Sequence, residues 1–189
     1  YAQQKRVGCV GAKLLYPDNT IQHAGIGFGF RTLAAHMHKN FPVGHPGYMG
    51  RLSYAQDVYA VTAACLMVRK DVYEQVNGLD ESFAVAFNDV DFCLRVRDAG
   101  YRIAWTPYAE LIHYESKSRG GDEKDPVKAA RFAAEQQRLY TIHGKENILD
   151  DPYYNPNLTR DREDFSESDD LRRLKEGRVT VRFRGGTLQ

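Results

Sequence analysis

Long hydrophobic runs are missing from this sequence. No stretch of about 18 apolar residues is available to cross a bilayer as a helix, and the opening Tyr1-Ala2-Gln3-Gln4-Lys5-Arg6 has no apolar centre of the kind a signal peptide needs. An excess of one charge is missing too. The 26 Lys and Arg face 25 Asp and Glu, a formal net charge of +1, which argues against a nucleic-acid footprint and for small molecules or proteins as partners. Cysteine is scarce. Cys9, Cys65 and Cys93 are odd in number, sit in apolar segments and lack metal-type spacing, so we expect buried thiols in a reducing, cytoplasmic setting rather than a disulfide framework. No internal repeat is evident, which excludes a solenoid. An initiating methionine is also lacking, and the chain enters a strand pattern at once, so we expect a longer parent protein cut here.

What is present is 42% apolar content over 189 residues, enough for one medium domain with its own core. Residues 7–15 (VGCVGAKLL) form an apolar run that stops at the turn signal Pro17-Asp18-Asn19, and residues 21–27 return as the second strand of a hairpin. Residues 28–56 carry three histidines, two prolines and four glycines without a sustained period, and read as a long loop of the kind that is functional or mobile. Residues 58–69 (VYAVTAACLMVR) read as a buried central strand, followed by a short helix at 71–76 and the stop signal Asn77-Gly78. Asn88 is suited to an N-cap with Asp91 three residues on, giving a helix at about 88–99 with Gly100 at C′. Strands are expected at 101–106, ending before Pro107, and at 110–114. The polar, glycine-containing stretch that follows reads as a lid or access loop, and Pro126 opens a helix to 142. Residues 150–170 are irregular and acidic, and the tail offers a short helix and a strand at 178–184. The fold class expected is α/β, a mixed sheet flanked by helices, in two parts: 1–149 and a C-terminal extension at 150–189.

The stretch from Ala86 to Arg119 concentrates the chemistry. Asp89 and Asp91 lie in the first helical turn, where backbone N–H groups and the macrodipole favour negative charge whether or not the residues are catalytic. The apolar approach Phe83-Ala84-Val85-Ala86-Phe87 would carry the pair out of a core to an edge where a carboxylate can meet a substrate hydroxyl. His113 closes a strand pattern, and an imidazole there suits either a satisfied structural role or a divalent ion. Arg119 with Gly120-Gly121 suits a phosphate. His36, His38 and His45 show no metal spacing and read as loop composition, and His23 is ambiguous.

The stretches VGCVGAKLLYPDNTIQHAGI and AVTAACLMVRKDVYEQVNGLDESFAVAFNDVDFCLRVRDAGYRIAWTPYAELIHYESKSRG resemble, in order and spacing, the second half of the family 2 glycosyltransferases, inverting enzymes with a GT-A fold. The resemblance covers about residues 7–121 and extends more weakly through Asp151-Pro152-Tyr153-Tyr154-Asn155-Pro156-Asn157-Leu158. It implies a partial GT-A fold, in which the nucleotide-binding half with its Asp-x-Asp motif would precede Tyr1. Asp89 matches the catalytic base, the aspartate of a Glu-Asp pair whose glutamate is replaced here by Asn88. Asp91, Asn88, Thr62 and Ala63 match acceptor-side positions, Ser118 and Arg119 the loop over the nucleotide diphosphate, and His113 a metal ligand. The cofactor implied is a divalent ion, Mn²⁺ or Mg²⁺. The partners implied are a nucleotide-sugar donor and a glycan or other hydroxyl acceptor, in polysaccharide or glycoconjugate synthesis. Residues 1–189 alone are expected to transfer no sugar. A homodimer through an open sheet edge is expected, and the parent is expected in the cytoplasm, with or without association with a membrane. Two other readings share these residues: a non-catalytic glycan- or protein-binding module on the same fold, and a metal-dependent phosphoesterase built on Asp89, Asp91 and His113.

Overall fold

The computed structural model describes residues 1–30, 33–114, 125–166, 168, 182–183 and 186–187. In chain order the elements are β1 (Val7–Leu15), β2 (Ile21–His23), β3 (Ile26–Phe30), β4 (Leu33–His36), β5 (Gln56–Val58), β6 (Leu66–Val68), α1 (Lys70–Gln75), α2 (Asn88–Asp98), β7 (Arg102–Ile112), α3 (Pro126–His143), α4 (Lys145–Leu149), β8 (Arg182–Phe183) and β9 (Gly186–Thr187). The architecture is α/β around a mixed sheet, as the sequence implies. All nine residues of β1 are buried. This strand pairs antiparallel with β2 and β6 along one side and parallel with β7 along the other, and β5 pairs antiparallel with β7. A strand buried on both faces needs an almost wholly apolar run, which is what residues 7–15 supply.

Several expectations hold and several change. The 7–27 hairpin forms around Pro17-Asp18-Asn19, where Asn19 takes a left-handed backbone (φ 63°) and Asp18 accepts from the Thr20 amide at 3.0 Å. Its second strand stops at His23, because Gly25 turns the chain (φ 96°) into β3. The long loop at 28–56 is partly ordered. β3 and β4 pair as a separate ribbon inside it, with Ile26 opposite His36. The single central strand expected at 58–69 is broken. The Thr62 side chain accepts from the Ala64 amide and opens a 3₁₀ turn at Ala63–Cys65, so only β5 and β6 remain, each at the sheet margin. The two strands expected at 101–114 are instead one. β7 runs through Pro107, whose missing N–H is accommodated by a register jump from Ala12–Thr106 to Lys13–Glu110. Beyond Trp105, no strand among the described residues pairs with the far side of β7. The short helix shifts back one residue to Lys70–Gln75, and α3 spans Pro126–His143 with Asp125 as its cap. Of the expected 178–184 strand, the described part is β8 paired with β9.

Two glycines set how close the layers come. A Cβ on Gly8 would collide with Val96 and Tyr101, and one on Gly11 would sit 2.6 Å from Val61. α2 and the 58–62 segment therefore lie directly on β1. The core includes Phe28, Phe92, Ile103, Trp105 and Leu139, and also Tyr154, Leu158 and Phe165 from beyond residue 149. Asp151 accepts from the Phe28 amide at 3.1 Å, and Arg160 donates to the Phe28 carbonyl at 2.8 Å, tying this segment to β3. Cys9 and Cys93 are buried and Cys65 is partly so. Among the described residues no helix is long and apolar enough to cross a membrane.

The α2–α3 contact is polar at its centre. Asp91, 1% exposed, accepts from Arg95 through Oδ2 at 2.7 and 2.9 Å and from His143 Nε2 through Oδ1 at 2.8 Å. Arg95 also donates to the Val76 and Gly78 carbonyls, fixing the turn that precedes the α2 approach. Burial pushes the Asp91 carboxyl up, but the hydrogen bonds from His143 and Arg95 outweigh it and hold the group below the usual carboxylate range.

Gly11→Ala forces a methyl into Val61 and should cost about 1–3 kcal/mol, read as a lower urea midpoint at unchanged slope. Gly44→Ala, with nothing within 4 Å, should stay within about 0.5 kcal/mol. Because the Asp91 carboxyl titrates lower in the folded than in the unfolded chain, its contribution is full at neutral pH. It fades as pH falls below about 4 and through the folded value. Asp91→Asn should therefore cost about 3 kcal/mol at pH 7 and flatten the acid limb of a stability-against-pH curve.

Candidate functional site

The start of α2 is built from a strained turn. Phe87, rather than Asn88, occupies the cap position and adopts a left-handed backbone (φ 62°, ψ 4°), with no side-chain cap. For a bulky residue this conformation costs about 1–3 kcal/mol and persists only where its surroundings enforce it. They do so here through α3. Glu135, 6% exposed, accepts from the Ala86 amide at 2.6 Å and the Val85 amide at 3.3 Å, and the Phe132 ring lies 4.9 Å from that of Phe87. Asn88 becomes the first helical residue, and its Oδ1 accepts from the Asp89 amide at 2.7 Å.

Asp89 is held from two directions. Oδ1 accepts from the Val90 amide at 2.8 Å, and Oδ2 accepts from the Ala63 amide at 3.1 Å. A carboxylate has about four lone-pair sites, so a further donor can still be received. The Ala63 amide is presented because the Thr62 cap turns the chain there, which joins the turn at 62–63 to the helix start at 88–89. Thr62 is buried and Ala63 exposed. Asp89 also borders a cavity of about 170 Å³ whose walls include His36, Phe87 and Phe132.

Behind Thr62 lies a pair of imidazoles. His23, fully buried, accepts at Nε2 from the Thr62 amide (3.4 Å), and its Nδ1 lies 2.8 Å from Nδ1 of His36. Burial, then the nearby His36 and His113, push its proton affinity well below that of an ordinary histidine. His113 follows β7, its amide donating to the Leu15 carbonyl at 2.8 Å. Its buried Nδ1 has no hydrogen-bond partner among the described residues.

The structure thus brings Thr62, Ala63, Asn88 and Asp89 together, and sets His113 close enough to His23 to affect its charge. Asp91 is a different case. The acceptor contact implied for it would need an available oxygen at a surface, whereas its carboxylate is buried between Arg95 and His143 with both oxygens bonded. Ser118 and Arg119, with the expected lid, lie outside the described residues. Among the described residues no three His, Cys, Asp or Glu converge as a metal site. His36, read as loop composition, is instead part of the pocket wall, whereas His38 stacks on Phe165 at 4.4 Å in the core. Glu135 and His143 were not legible as site residues. The one signal was a glutamate on the inward stripe of an otherwise ordinary amphipathic helix.

No protein-family model matches the chain. It is 50% identical over 165 residues to the uncharacterized protein y4gI of Sinorhizobium fredii, covering 87% of this chain and 18% of that protein. It is 36% identical over 159 residues to the O-antigen biosynthesis protein RfbC of Myxococcus xanthus, covering 84% of this chain and 12% of that protein. Over 80 residues, 42% of this chain and 24% of the other, it is 34% identical to an N-acetylglucosaminyl-diphospho-decaprenol L-rhamnosyltransferase of Mycobacterium tuberculosis. The chain therefore spans less than a fifth of the first two relatives. Its sequence is related to that of glycosyltransferases and glycan-synthesis proteins.

Proposed function

We propose that this chain is the acceptor-side, base-bearing half of an inverting, family 2 glycosyltransferase domain with a partial GT-A fold, working in polysaccharide or glycoconjugate synthesis. The observation that carries the reading is the Asp89 carboxylate, oriented by the Ala63 and Val90 amides at the edge of a cavity. The names of the relatives support the chemistry class. Asp89 takes the proton of an acceptor hydroxyl while that oxygen attacks the anomeric carbon of a nucleotide-sugar. The bond from that carbon to the diphosphate breaks, and the nucleoside diphosphate leaves with the electron pair. Thr62, Ala63 and Asn88 shape the acceptor side. For Asp91 the reading is a positioning role, since it anchors the helix that carries Asp89 to α3.

The leaving diphosphate needs positive charge. Ser118 and Arg119 are proposed to meet it. The Nδ1 of His113, without a hydrogen-bond partner among the described residues, fits a single ligand to Mn²⁺ or Mg²⁺, with the other ligands coming from outside those residues. Such an ion, when bound, stabilises the charge on the departing phosphate. The parent is proposed to act in the cytoplasm or at its membrane surface. The unpaired side of β7 is proposed as the edge through which two copies associate.

In the full-length protein, Asp89→Asn should lower kcat by roughly 10²- to 10⁴-fold while leaving donor KM and thermal stability near wild type. Transfer of labelled sugar by Asp89→Asn at the wild-type rate would remove the assignment. For the edge, light scattering should give a mass of two chains. A mass of one chain at high concentration counts against it.

A further inference from the structure

Three residues of α3, spaced three apart along one face of the helix, run beside the segment that leads into α2. Arg138 donates to Asp80 at 3.4 Å, with its guanidinium carbon 5.6 Å from the centre of the Phe83 ring. Glu135 accepts from the Val85 amide at 3.3 Å and the Ala86 amide at 2.6 Å, and the Phe132 ring lies 4.9 Å from that of Phe87. The two segments run in opposite directions, and the last contact falls on the left-handed residue. Its middle contact receives two converging N–H groups, which suits a carboxylate, with two accepting oxygens and no donor when ionised. A glutamine would accept once and set its own N–H against the second amide. From Phe87 the path to Asp89 is short: Asn88 Oδ1 accepts from the Asp89 amide at 2.7 Å, and Asp89 Oδ2 reaches the Ala63 amide at 3.1 Å. Were Phe87 to leave its φ of 62° for the negative values that phenylalanine prefers, the first turn of α2 would rotate and Oδ2 would leave that amide.

We propose that Glu135 is a positioning residue for sugar transfer: by holding the Val85 and Ala86 amides it keeps Phe87 left-handed, and so aims the Asp89 carboxylate at the acceptor hydroxyl. It acts through Asp89 and the backbone, not on the substrate. Glu135 is 6% exposed, and burying a carboxylate is unfavourable unless its hydrogen bonds are well made. Its role is to select one backbone geometry over the relaxed alternative. Proton transfer from a bound hydroxyl depends steeply on the placement of the base, so a shift of about 1 Å at Asp89 is enough to slow the reaction without loss of the fold. The inference rests on the reading of Asp89 as the base and goes beyond it by assigning the group that aims it.

The test compares Glu135→Gln, which keeps one accepting oxygen, Glu135→Met, which keeps none, and Glu135→Asp, which draws the charge back by one methylene. In the full-length protein kcat should fall roughly 10- to 100-fold in Glu135→Met and by less in Glu135→Gln, with donor KM near wild type. Thermal midpoints, measured alongside, should stay above the assay temperature. In this chain, ¹H–¹⁵N spectra read the geometry at a distance: the Ala63 amide signal of each Glu135 variant should move toward its position in Asp89→Ala. A role in stability alone would leave that signal in place in a folded variant. Wild-type kcat in folded Glu135→Met, or an Ala63 signal that none of the variants moves, overturns the proposal. If Glu135→Met does not fold, Glu135→Gln and Glu135→Asp decide by the same two readouts. The base assignment and this inference fail differently. If Asp89→Asn abolishes transfer while the Glu135 variants keep the wild-type kcat, this inference alone falls. If Asp89→Asn transfers sugar at the wild-type rate, the base assignment falls and this inference falls with it.

Discussion

Phe87 is held in a conformation that an isolated phenylalanine avoids, and the geometry of the candidate site depends on it. A left-handed residue directly before a helix reverses the chain sharply, so the first helical residues emerge at the cavity edge rather than inside the core. The strain is sustained from outside the turn. Glu135 fixes the two preceding amides, Phe132 packs on the Phe87 ring, and His143 holds Asp91 one turn into α2. All three lie on α3, spaced along its length. One helix thus acts as a rigid splint behind the carboxylate that faces the cavity.

A second constraint runs through backbone amides. The Ala63 amide is free to meet Asp89 only because the Thr62 hydroxyl caps a 3₁₀ turn and takes the chain out of the sheet ladder. The Thr62 amide is likewise directed at His23. A two-residue interruption in an apolar segment therefore supplies donors to both the carboxylate and the imidazole pair. The bare α-carbons of Gly8 and Gly11 let α2 and the 58–62 segment lie close enough to β1 for these short bonds to form.

Local signals read well from the sequence because their physics is local. Pro17-Asp18-Asn19 closes a turn with its own side chains. Gly100 ends α2 at φ 90°, with the Tyr101 amide returning to Val96 and the Gly100 amide to Arg97, as a glycine-terminated helix requires. Asp125-Pro126 starts α3 through a side-chain cap. Failures occurred where a distant partner decided the outcome. Residues 58–69 have the composition of one buried strand, and the Thr62 interruption is supported by contacts 26 and 39 residues away in sequence. The β3–β4 ribbon was hidden because Gly27 and Gly29 dilute any alternation. Asp91 and Asp89 look equivalent as first-turn aspartates, and only the position of α3 distinguishes them.

By itself, then, the sequence determined the mixed α/β character, the buried strand at 7–15, the helix carrying Asn88, Asp89 and Asp91, and the likeness to sugar transferases. Periodicity, caps and turn residues act over a few positions, and each was legible there. Only the tertiary structure decided that Asp89 borders a cavity while Asp91 faces a histidine, and that His36, in the wall of that cavity, meets His23. Those outcomes depend on hydrogen bonds between side chains 13 and 52 residues apart. Such pairs are chosen by how β1, α2 and α3 pack, not by their neighbours in the chain.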